Sequence, residues 1–253
     1  MFNRQVGIEI EFTGISRKCA SEVISDYFNS SIYYKEIHLK DGTSYTKYTI
    51  KDRNSADWVI KRDRSVEAEL PNQGVIEDEA GIYKCELVTP VINLDDLSDL
   101  EHIMRLLTDA GAIVNNTCGL HIHIDNTNSK EDLLLMMKKF VEEQYDLMSK
   151  FNVKTNRIEK YCKLYDSSIL EMLSKNCSEF ETIEDVAKAI VYHLAPNDSL
   201  KSSHNGARYY AFNVHALFAH NTLEFRFFNA TLDFIELLEV LNWVKNFVTS
   251  STF

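Results

Sequence analysis

The sequence predicts an α+β fold in which helices back a mostly antiparallel β-sheet. Segments that alternate between apolar and polar residues occupy the first third of the 253-residue chain and return near its end, whereas segments with helical spacing fill the middle and the C-terminus. A repeating strand–helix–strand rhythm, the mark of a parallel sheet, is missing. Because only eight Gly and three Pro occur and no flexible linker is visible, we expect a single domain over residues 1–253.

The first predicted strand is Gln5–Thr13, in which apolar and polar side chains alternate. The Asp41-Gly42 pair is a turn signal between segments rich in Tyr, Ile and Thr, and it predicts a hairpin of Tyr33–Leu39 with Thr43–Ile50. Further strands are predicted at Trp58–Lys61, Tyr83–Val91, Gly119–Asp125, Tyr209–Phe218 and Thr222–Phe228.

Helical spacing begins near Leu97 and continues to Leu107, with acidic residues in the first turn and Gly111 as a stop signal. The same reasoning predicts four more helices, at Lys130–Lys150, Arg157–Leu173, Ile183–His193 and Leu232–Val248.

Composition excludes several classes of protein. Hydrophobic residues make up 45% and charged residues 26% of the chain, which indicates a folded, soluble protein. The net charge of −11 disfavours nucleic acid as a partner. Five cysteines without a CxxC pair indicate neither a disulfide framework nor a cysteine-rich zinc site, and they favour a reducing cytoplasm. With no apolar run of about 18 residues, no membrane partner is expected.

Four strand segments carry the candidate chemistry, and the first holds Glu9 and Glu11 on one strand face. Two like charges at this spacing repel each other, and a bound divalent cation would neutralise both. A solvated edge strand is the alternative explanation. The strongly apolar flanking residues favour a central strand and therefore the metal site.

The second segment places His121, His123 and Asp125 on one face of a strand. Imidazoles bind metals, position phosphates or act as general bases. A third segment contains Glu224 and Arg226, which either pair with each other or serve a metal-bound phosphate.

The fourth contribution is Glu86 together with Asp63, each of which taken alone resembles a surface residue. Considered together, however, the acids, a histidine and Arg226 lie on separate strands that one antiparallel sheet could bring to one face. Oxygen-rich ligation with an imidazole suits Mg²⁺ or Mn²⁺, and an acidic site with an arginine is what an ATP triphosphate needs.

These segments resemble, in chain order, the motifs of the amidoligase family, which belongs with glutamine synthetase and glutamate–cysteine ligase among the carboxylate–amine ligases. The matching segments are 7–12, 58–65, 86–90, 119–123 and 222–228, and the segment 209–213 before the last one matches as well. Each motif is short, but their order and spacing cover nearly the whole chain. Arg64 stands where the family usually has Gly.

The resemblance implies a cupped antiparallel sheet like the catalytic domain of glutamine synthetase, with ATP and two or three Mg²⁺ or Mn²⁺ ions. The implied metal ligands are Glu9, Glu11, Glu86, His121, His123, Glu224 and Asp63. The implied nucleotide-binding residues are Arg226, His121, His123 and Asn213. The implied catalytic residues are Arg226, Glu224 and Glu11.

The implied reaction activates a small-molecule or peptide carboxylate as an acyl phosphate, which an amine substrate attacks to form an amide or isopeptide bond. Two other classes stay open. One is an ATP-independent metal hydrolase that uses the His/Glu cluster, and the other is a non-catalytic nucleotide-binding relative. The sequence leaves the general base and the oligomeric state undetermined.

Overall fold

The computed structural model describes residues 5–125, 129–202 and 204–251. The chain is α+β, and its sheet is mostly antiparallel and open, as expected from the sequence. It divides into two compact units. The N-terminal unit comprises residues 5–120 and 229–238, and the C-terminal unit comprises the described residues within 121–228 and 239–251. The prediction of a single domain stays a prediction.

The N-terminal unit is built on an antiparallel sheet in the order β1–β7–β4–β3–β2, with β8 also paired to β1. Its strands are β1 (Gln5–Phe12), β2 (Ile32–His38), β3 (Ser44–Lys51), β4 (Asp57–Arg62), β5 (Glu69–Leu70), β6 (Gly74–Val75), β7 (Cys85–Val88) and β8 (Ile92–Asn93). Its helices are α1 (Arg17–Phe28) and α2 (Ser98–Asp109).

The alternation in β1 decides which face of this sheet is buried. Ile8, Ile10 and Phe12 are fully buried on one face, and the paired strands add Ile60 and Leu87 in register with Ile10. Helix α1 packs against β3 and β4 and covers part of this unit's core. The glutamates of β1 therefore lie on the opposite face.

The C-terminal unit combines helices with strands β9, β10 and β11, which follow one another in the sheet as β10–β11–β9. The elements after α2 are β9 (Gly119–Asp125), α3 (Lys130–Lys150), α4 (Thr155–Lys160), α5 (Ser168–Asn176), α6 (Ile183–Leu194), β10 (Phe212–Asn213), α7 (Ala216–His220), β11 (Thr222–Asn229) and α8 (Phe234–Thr249). The chain passes between the units within β9, at the end of β11 and within α8.

Aromatic side chains form the core of the C-terminal unit. The Phe140 ring of α3 contacts Phe212, Phe225 and Phe227 at centroid distances of 5.5, 6.4 and 5.7 Å. The apolar face of β11 therefore packs against helices. This agrees with the prediction that the polar residues of β11 lie on its opposite face.

The structure corrects three predicted elements. A helix predicted over Arg157–Leu173 is interrupted, since α4 ends at Lys160 and α5 begins at Ser168. The Lys163 N–H donates to the Tyr209 carbonyl, and Tyr165 exchanges hydrogen bonds with the Gln144 side chain. These tertiary partners draw the intervening backbone out of a helix.

The second correction concerns Tyr209–Phe218, which was predicted as one strand. Only Phe212–Asn213 is a strand; a single 3₁₀ turn precedes it at Gly206–Tyr209, and α7 follows. The third is α1, which the sequence analysis missed although Ser16 caps it by accepting a hydrogen bond from the Cys19 N–H.

All five cysteines are free thiols. Among the described residues, no helix combines the length and the apolar run that a membrane crossing requires.

Candidate functional site

Three neighbouring strands of the N-terminal unit bring charged side chains to one face of its sheet. The register places Glu11 opposite Glu86 across β1 and β7, and Glu86 opposite Lys61 across β7 and β4. Directly opposed residues of antiparallel strands point to the same face, and Glu9 shares that face with Glu11. We call Glu9, Glu11, Glu86 and Lys61 the acidic cluster.

Lys61 links two members of the acidic cluster. Its Nζ lies 3.4 Å from Glu9 Oε1 and 3.2 Å from Glu86 Oε2. Burial raises the pKa of Glu86 well above its usual range, and the adjacent Glu9 carboxylate raises it further, while Lys61 lowers it in part. Burial acts to lower the pKa of Lys61, but the two carboxylates outweigh it and raise that pKa above its usual value.

Glu11 has an additional backbone partner. Its Oε2 accepts a hydrogen bond of 2.6 Å from the N–H of Gly119, the first residue of β9, and its side chain is buried. Glu11 therefore helps to fix the start of the strand that carries the histidine motif.

Asp63 holds a turn after β4. Its Oδ1 accepts hydrogen bonds from the Ser65 N–H at 2.6 Å and from the Ser65 hydroxyl at 2.5 Å. It also raises the pKa of Glu86 by its charge, which places it within electrostatic range of the acidic cluster. A metal-ligand role for Asp63 stays a prediction.

In the C-terminal unit, Glu224 of β11 is the centre of a second group of charges. It is 4% exposed. Its Oε2 accepts a 2.5 Å hydrogen bond from Asn213 Nδ2, and its Oε1 accepts a 3.0 Å hydrogen bond from Arg226 Nη1. His121 Nδ1 and His123 Nε2 lie 3.5 and 3.9 Å from the same Oε1. We call these five residues the Glu224 cluster.

The two histidines differ in how they are held. His123 Nδ1 lies 2.9 Å from the Thr222 hydroxyl, so its Nε2 is the nitrogen nearer Glu224. His121 is more deeply buried and presents Nδ1 to Glu224. Both rings therefore lie beside the Glu224 carboxylate. The two-residue spacing of these histidines, to which the sequence analysis drew attention, does bring them together in the fold.

Arg226 is positioned from two sides. Its Nε donates to the Tyr161 carbonyl at 3.2 Å and its Nη1 donates to Glu224, so the guanidinium orientation is fixed. The nearly inaccessible Arg157, at 1% exposure, donates from Nη2 to the Arg226 carbonyl at 3.3 Å. Arg157 of α4 and the Tyr161 carbonyl just after α4 therefore both hydrogen-bond to Arg226 of β11.

A cavity of about 350 Å³ lies within the C-terminal unit beside the Glu224 cluster. It is lined by residues of the 3₁₀ turn and the segment before it, of α7 and the residue preceding it, and of β10 and β11. They are Leu200, Lys201, Ser202, Arg208, Asn213, His215, Ala216, Phe218, Ala219, His220 and Glu224.

The sequence analysis selected every carboxylate of these clusters but missed Lys61. In β4, Lys61 lies two residues after Val59 and on the same face of the strand. It also missed His215, a buried residue whose Nε2 lies 2.8 Å from the Leu200 carbonyl oxygen. Burial lowers the pKa of His215. No short motif marks His215. It follows the two-residue strand β10, which the periodicity of the sequence did not separate from its neighbours.

Comparison with models of protein families gives a match. The family described as "Putative amidoligase enzyme" matches residues 2–248, nearly the whole chain. A search of curated proteins finds no match.

Proposed function

The chain belongs to the amidoligase family, and from this premise we propose that it is an ATP-dependent ligase that joins a carboxylate to an amine. The γ-phosphoryl group of ATP passes to the carboxylate, which gives an acyl phosphate and ADP. The amine then attacks the acyl carbon, so that the C–N bond forms, the C–O bond to phosphate breaks and the amine loses a proton. A small molecule or a peptide supplies the carboxylate.

The observation that carries this proposal is the organisation of the family-motif charges into two compact clusters. Glu9, Glu86 and Lys61 meet within 3.4 Å, and Glu224 and Arg226 meet at 3.0 Å. Isolated acids on a solvated strand would not be buried or paired in this way. Burying carboxylates is expensive unless a cation or a hydrogen bond offsets the charge, so clusters like these are typical of functional sites.

The donors of each unit fit a hard divalent ion. In the N-terminal unit Glu9, Glu11 and Glu86 offer carboxylate oxygens, and in the C-terminal unit Glu224 offers a carboxylate beside His121 and His123. These are the ligand types that Mg²⁺ and Mn²⁺ accept. When bound, the ions would offset the negative charge of the ATP phosphates. In the metal-free protein, the Lys61 ammonium group offsets part of the negative charge of these carboxylates.

Arg226 would bind the phosphoryl oxygens. Its guanidinium is already oriented by Tyr161 and Glu224, and a fixed planar guanidinium binds phosphate with little loss of side-chain freedom. Glu224 thus has two roles in this proposal, as a metal ligand and as the group that orients Arg226.

The proposal is tested by calorimetric titration of ATP into the protein with Mg²⁺ present and then with Mg²⁺ removed by a chelator. Binding is expected only with Mg²⁺. The variants Glu9→Gln and Glu224→Gln keep the side-chain shape and remove one charge each, and they are expected to lower ATP affinity at least tenfold. The exposed α3 residue Glu142, changed to Gln, is the matched control and should bind ATP normally.

Unchanged ATP binding in both Glu9→Gln and Glu224→Gln would refute the assigned site. ATP binding that is indifferent to Mg²⁺ would refute the metal-dependent ligase. Where Mg²⁺-dependent binding is found, pairs of carboxylates and amines are screened for release of ADP, and formation of the amide product is confirmed by mass spectrometry.

A further inference from the structure

Two carboxylates of the acidic cluster already share one cation. Lys61 Nζ lies 3.4 Å from Glu9 Oε1 and 3.2 Å from Glu86 Oε2. Carboxylate oxygens of these two glutamates approach each other within 4.8 Å. A pair of carboxylates this close together suits a single cation that contacts both, and in the metal-free protein that cation is the ammonium group of Lys61.

The strand register holds the ammonium group beside the buried Glu86. Lys61 of β4 lies directly opposite Glu86 of β7, so both side chains point to the same face of the sheet. Among the residues that the structure describes, no other basic side chain forms an ion pair with Glu86. The Lys61 side chain is 31% exposed and ends in a flexible four-carbon stem, so it can move into solvent, whereas the buried Glu86 cannot.

The ammonium group and a divalent ion exclude each other from the Glu9–Glu86 pair. Mg²⁺ binds carboxylate oxygens at about 2.1 Å. An ion shared by the two glutamates therefore lies among the oxygens that Lys61 contacts. A lysine ammonium and a divalent ion only a few ångströms apart repel strongly, because water and salt screen a partly buried site incompletely. Binding of the ion to this pair therefore requires Lys61 to leave it.

We propose that Lys61 competes with the metal ion inside the protein: its ammonium group and a divalent cation are alternative partners of the Glu9–Glu86 pair, and the ion binds by displacing it. This role rests on the proposed function, in which a divalent ion binds the acidic cluster. It makes Lys61 the residue that sets the affinity of the N-terminal unit for that ion.

The first test is calorimetric titration of Mg²⁺ into the metal-free full chain and into Lys61→Met. Loss of the competing cation is expected to tighten Mg²⁺ binding at least tenfold. The gain should disappear in the double variant Lys61→Met/Glu86→Gln, because the carboxylate pair is then incomplete. Lys51→Met is the matched control, since Lys51 pairs with Asp57 on the same sheet outside the acidic cluster, and it should bind Mg²⁺ as the original chain does.

The second test detects the displacement on the original chain, so it does not depend on the folding of a variant. Acetylation of Lys61 by acetic anhydride is measured by peptide mass spectrometry at one pH, with and without excess Mg²⁺. Contacts with two carboxylates shield the Lys61 amine in the metal-free protein. Mg²⁺ is therefore expected to speed the labelling of Lys61 at least fivefold and to leave the labelling of Lys51 unchanged.

Tighter Mg²⁺ binding by Lys61→Met together with faster labelling of Lys61 supports the displacement. The proposal is overturned if Lys61→Met binds Mg²⁺ no more tightly than the original chain, or if Mg²⁺ leaves the labelling of Lys61 unchanged or slows it. When the original chain still binds ATP only with Mg²⁺, either of these results removes the role of Lys61 and leaves the proposed ligase intact. Absence of Mg²⁺ binding from both the original chain and Lys61→Met overturns this role and the metal-dependent ligase together.

Discussion

At the scale of single residues, Lys61 shows how one side chain makes a buried group of acids tolerable. Glu86 is 3% exposed, and this burial raises its pKa. The neighbouring carboxylates of Glu9 and Asp63 raise the pKa of Glu86 further. Lys61 contacts Glu9 and Glu86 together and lowers the cost of keeping both ionised. In the metal-free protein this ammonium group supplies the positive charge that the proposed ions would supply in the loaded enzyme.

Replacing Lys61 by Met should destabilise the metal-free protein at neutral pH by on the order of 2 kcal/mol, because the buried Glu86 loses a cation that is itself only partly buried. Stability is measured by urea unfolding in chelator at pH 5 and pH 8. Lys138→Met, at an exposed lysine paired with Glu142 in α3, is the control and should change stability little.

The Lys61→Met loss should shrink as the pH falls. Glu86 has a raised pKa in the folded state, so its favourable contribution is fully present below the ordinary pKa of glutamate and is lost as the pH rises through the raised value. Without Lys61 the pKa of Glu86 rises further, so the loss of folding stability extends over a wider pH range. A loss that is equal at pH 5 and pH 8 would contradict this electrostatic explanation.

At the scale of elements, the turn after β1 depends on a glycine. Gly14 has φ +90°, and a Cβ at this position would collide with the Gly111 carbonyl oxygen. Thr13 and Ile113 exchange two backbone hydrogen bonds of 2.8 and 2.9 Å beside it. The close approach of these two backbones leaves no room for a side chain.

Gly14→Ala should therefore destabilise the protein by about 3 kcal/mol or more, since steric overlap adds to an unfavourable φ. Gly42→Ala in the β2–β3 turn is a matched control. Gly42 also has positive φ, at +84°, but its Cβ would meet open space, so a loss of about 1 kcal/mol is expected. Equal losses, compared by urea unfolding, would show that the contact with Gly111 is unimportant.

Helix α6 begins with a capping box. The Thr182 side chain accepts from the Asp185 N–H at 3.2 Å, and Asp185 accepts from the Thr182 N–H at 2.9 Å. Hydrogen bonds from Thr182 hold the pKa of Asp185 below its usual value. The interaction therefore stabilises the helix above the ordinary pKa of aspartate and is lost as the pH falls through the lowered value.

Thr182→Ala should lower the free energy of unfolding by about 1 kcal/mol at pH 7. The difference from the original chain should be smaller at pH 3 than at pH 7, because acid favours the protonated form of Asp185, which no longer accepts the capping hydrogen bonds as a carboxylate. Thr182→Ser retains the hydroxyl and serves as the control. Thermal unfolding followed by circular dichroism at the two pH values measures both effects, and a pH-independent loss would exclude the carboxylate from the cap.

At the scale of the whole molecule, the net charge of −11 and the clustered carboxylates favour binding of divalent cations. The proposed function therefore predicts that such ions stabilise the folded protein. Mg²⁺ at 100 times its Kd would add about 2.7 kcal/mol to the free energy of unfolding. For a chain of this size that corresponds to a rise in Tm of roughly 5 °C or more. Chelation should reverse the rise, and Glu9→Gln should reduce it.

The same melting experiment distinguishes the metal hydrolase that the sequence left open. A single site of two histidines and one glutamate would favour Zn²⁺ over Mg²⁺, and it would confer activity without ATP. Stabilisation by Mg²⁺ that increases further with ATP supports the ligase, whereas stabilisation by Zn²⁺ alone contradicts it.

Much of the fold follows from periodicity. The β1 alternation and the helix Lys130–Lys150 are as predicted because each has one apolar face, and the β2–β3 hairpin is as predicted because Asp41-Gly42 marks its turn. Apart from the missed helix α1, the failures lie between residues 157 and 218. There, hydrogen bonds with residues distant in sequence, such as those between Tyr165 and Gln144, override local propensity.

The sequence by itself determined the fold class, the strands that carry Glu9, Glu86, His121 and Glu224, and the membership in a family. It could do so because period-2 alternation and motif order are local properties of the chain. Only the tertiary structure decided that Lys61 contacts Glu9 and Glu86 and that the Asn213 side-chain oxygen is buried without a hydrogen-bond partner among the described residues. Those facts depend on strand register and on which buried groups find partners, and both are set by packing between segments distant in sequence.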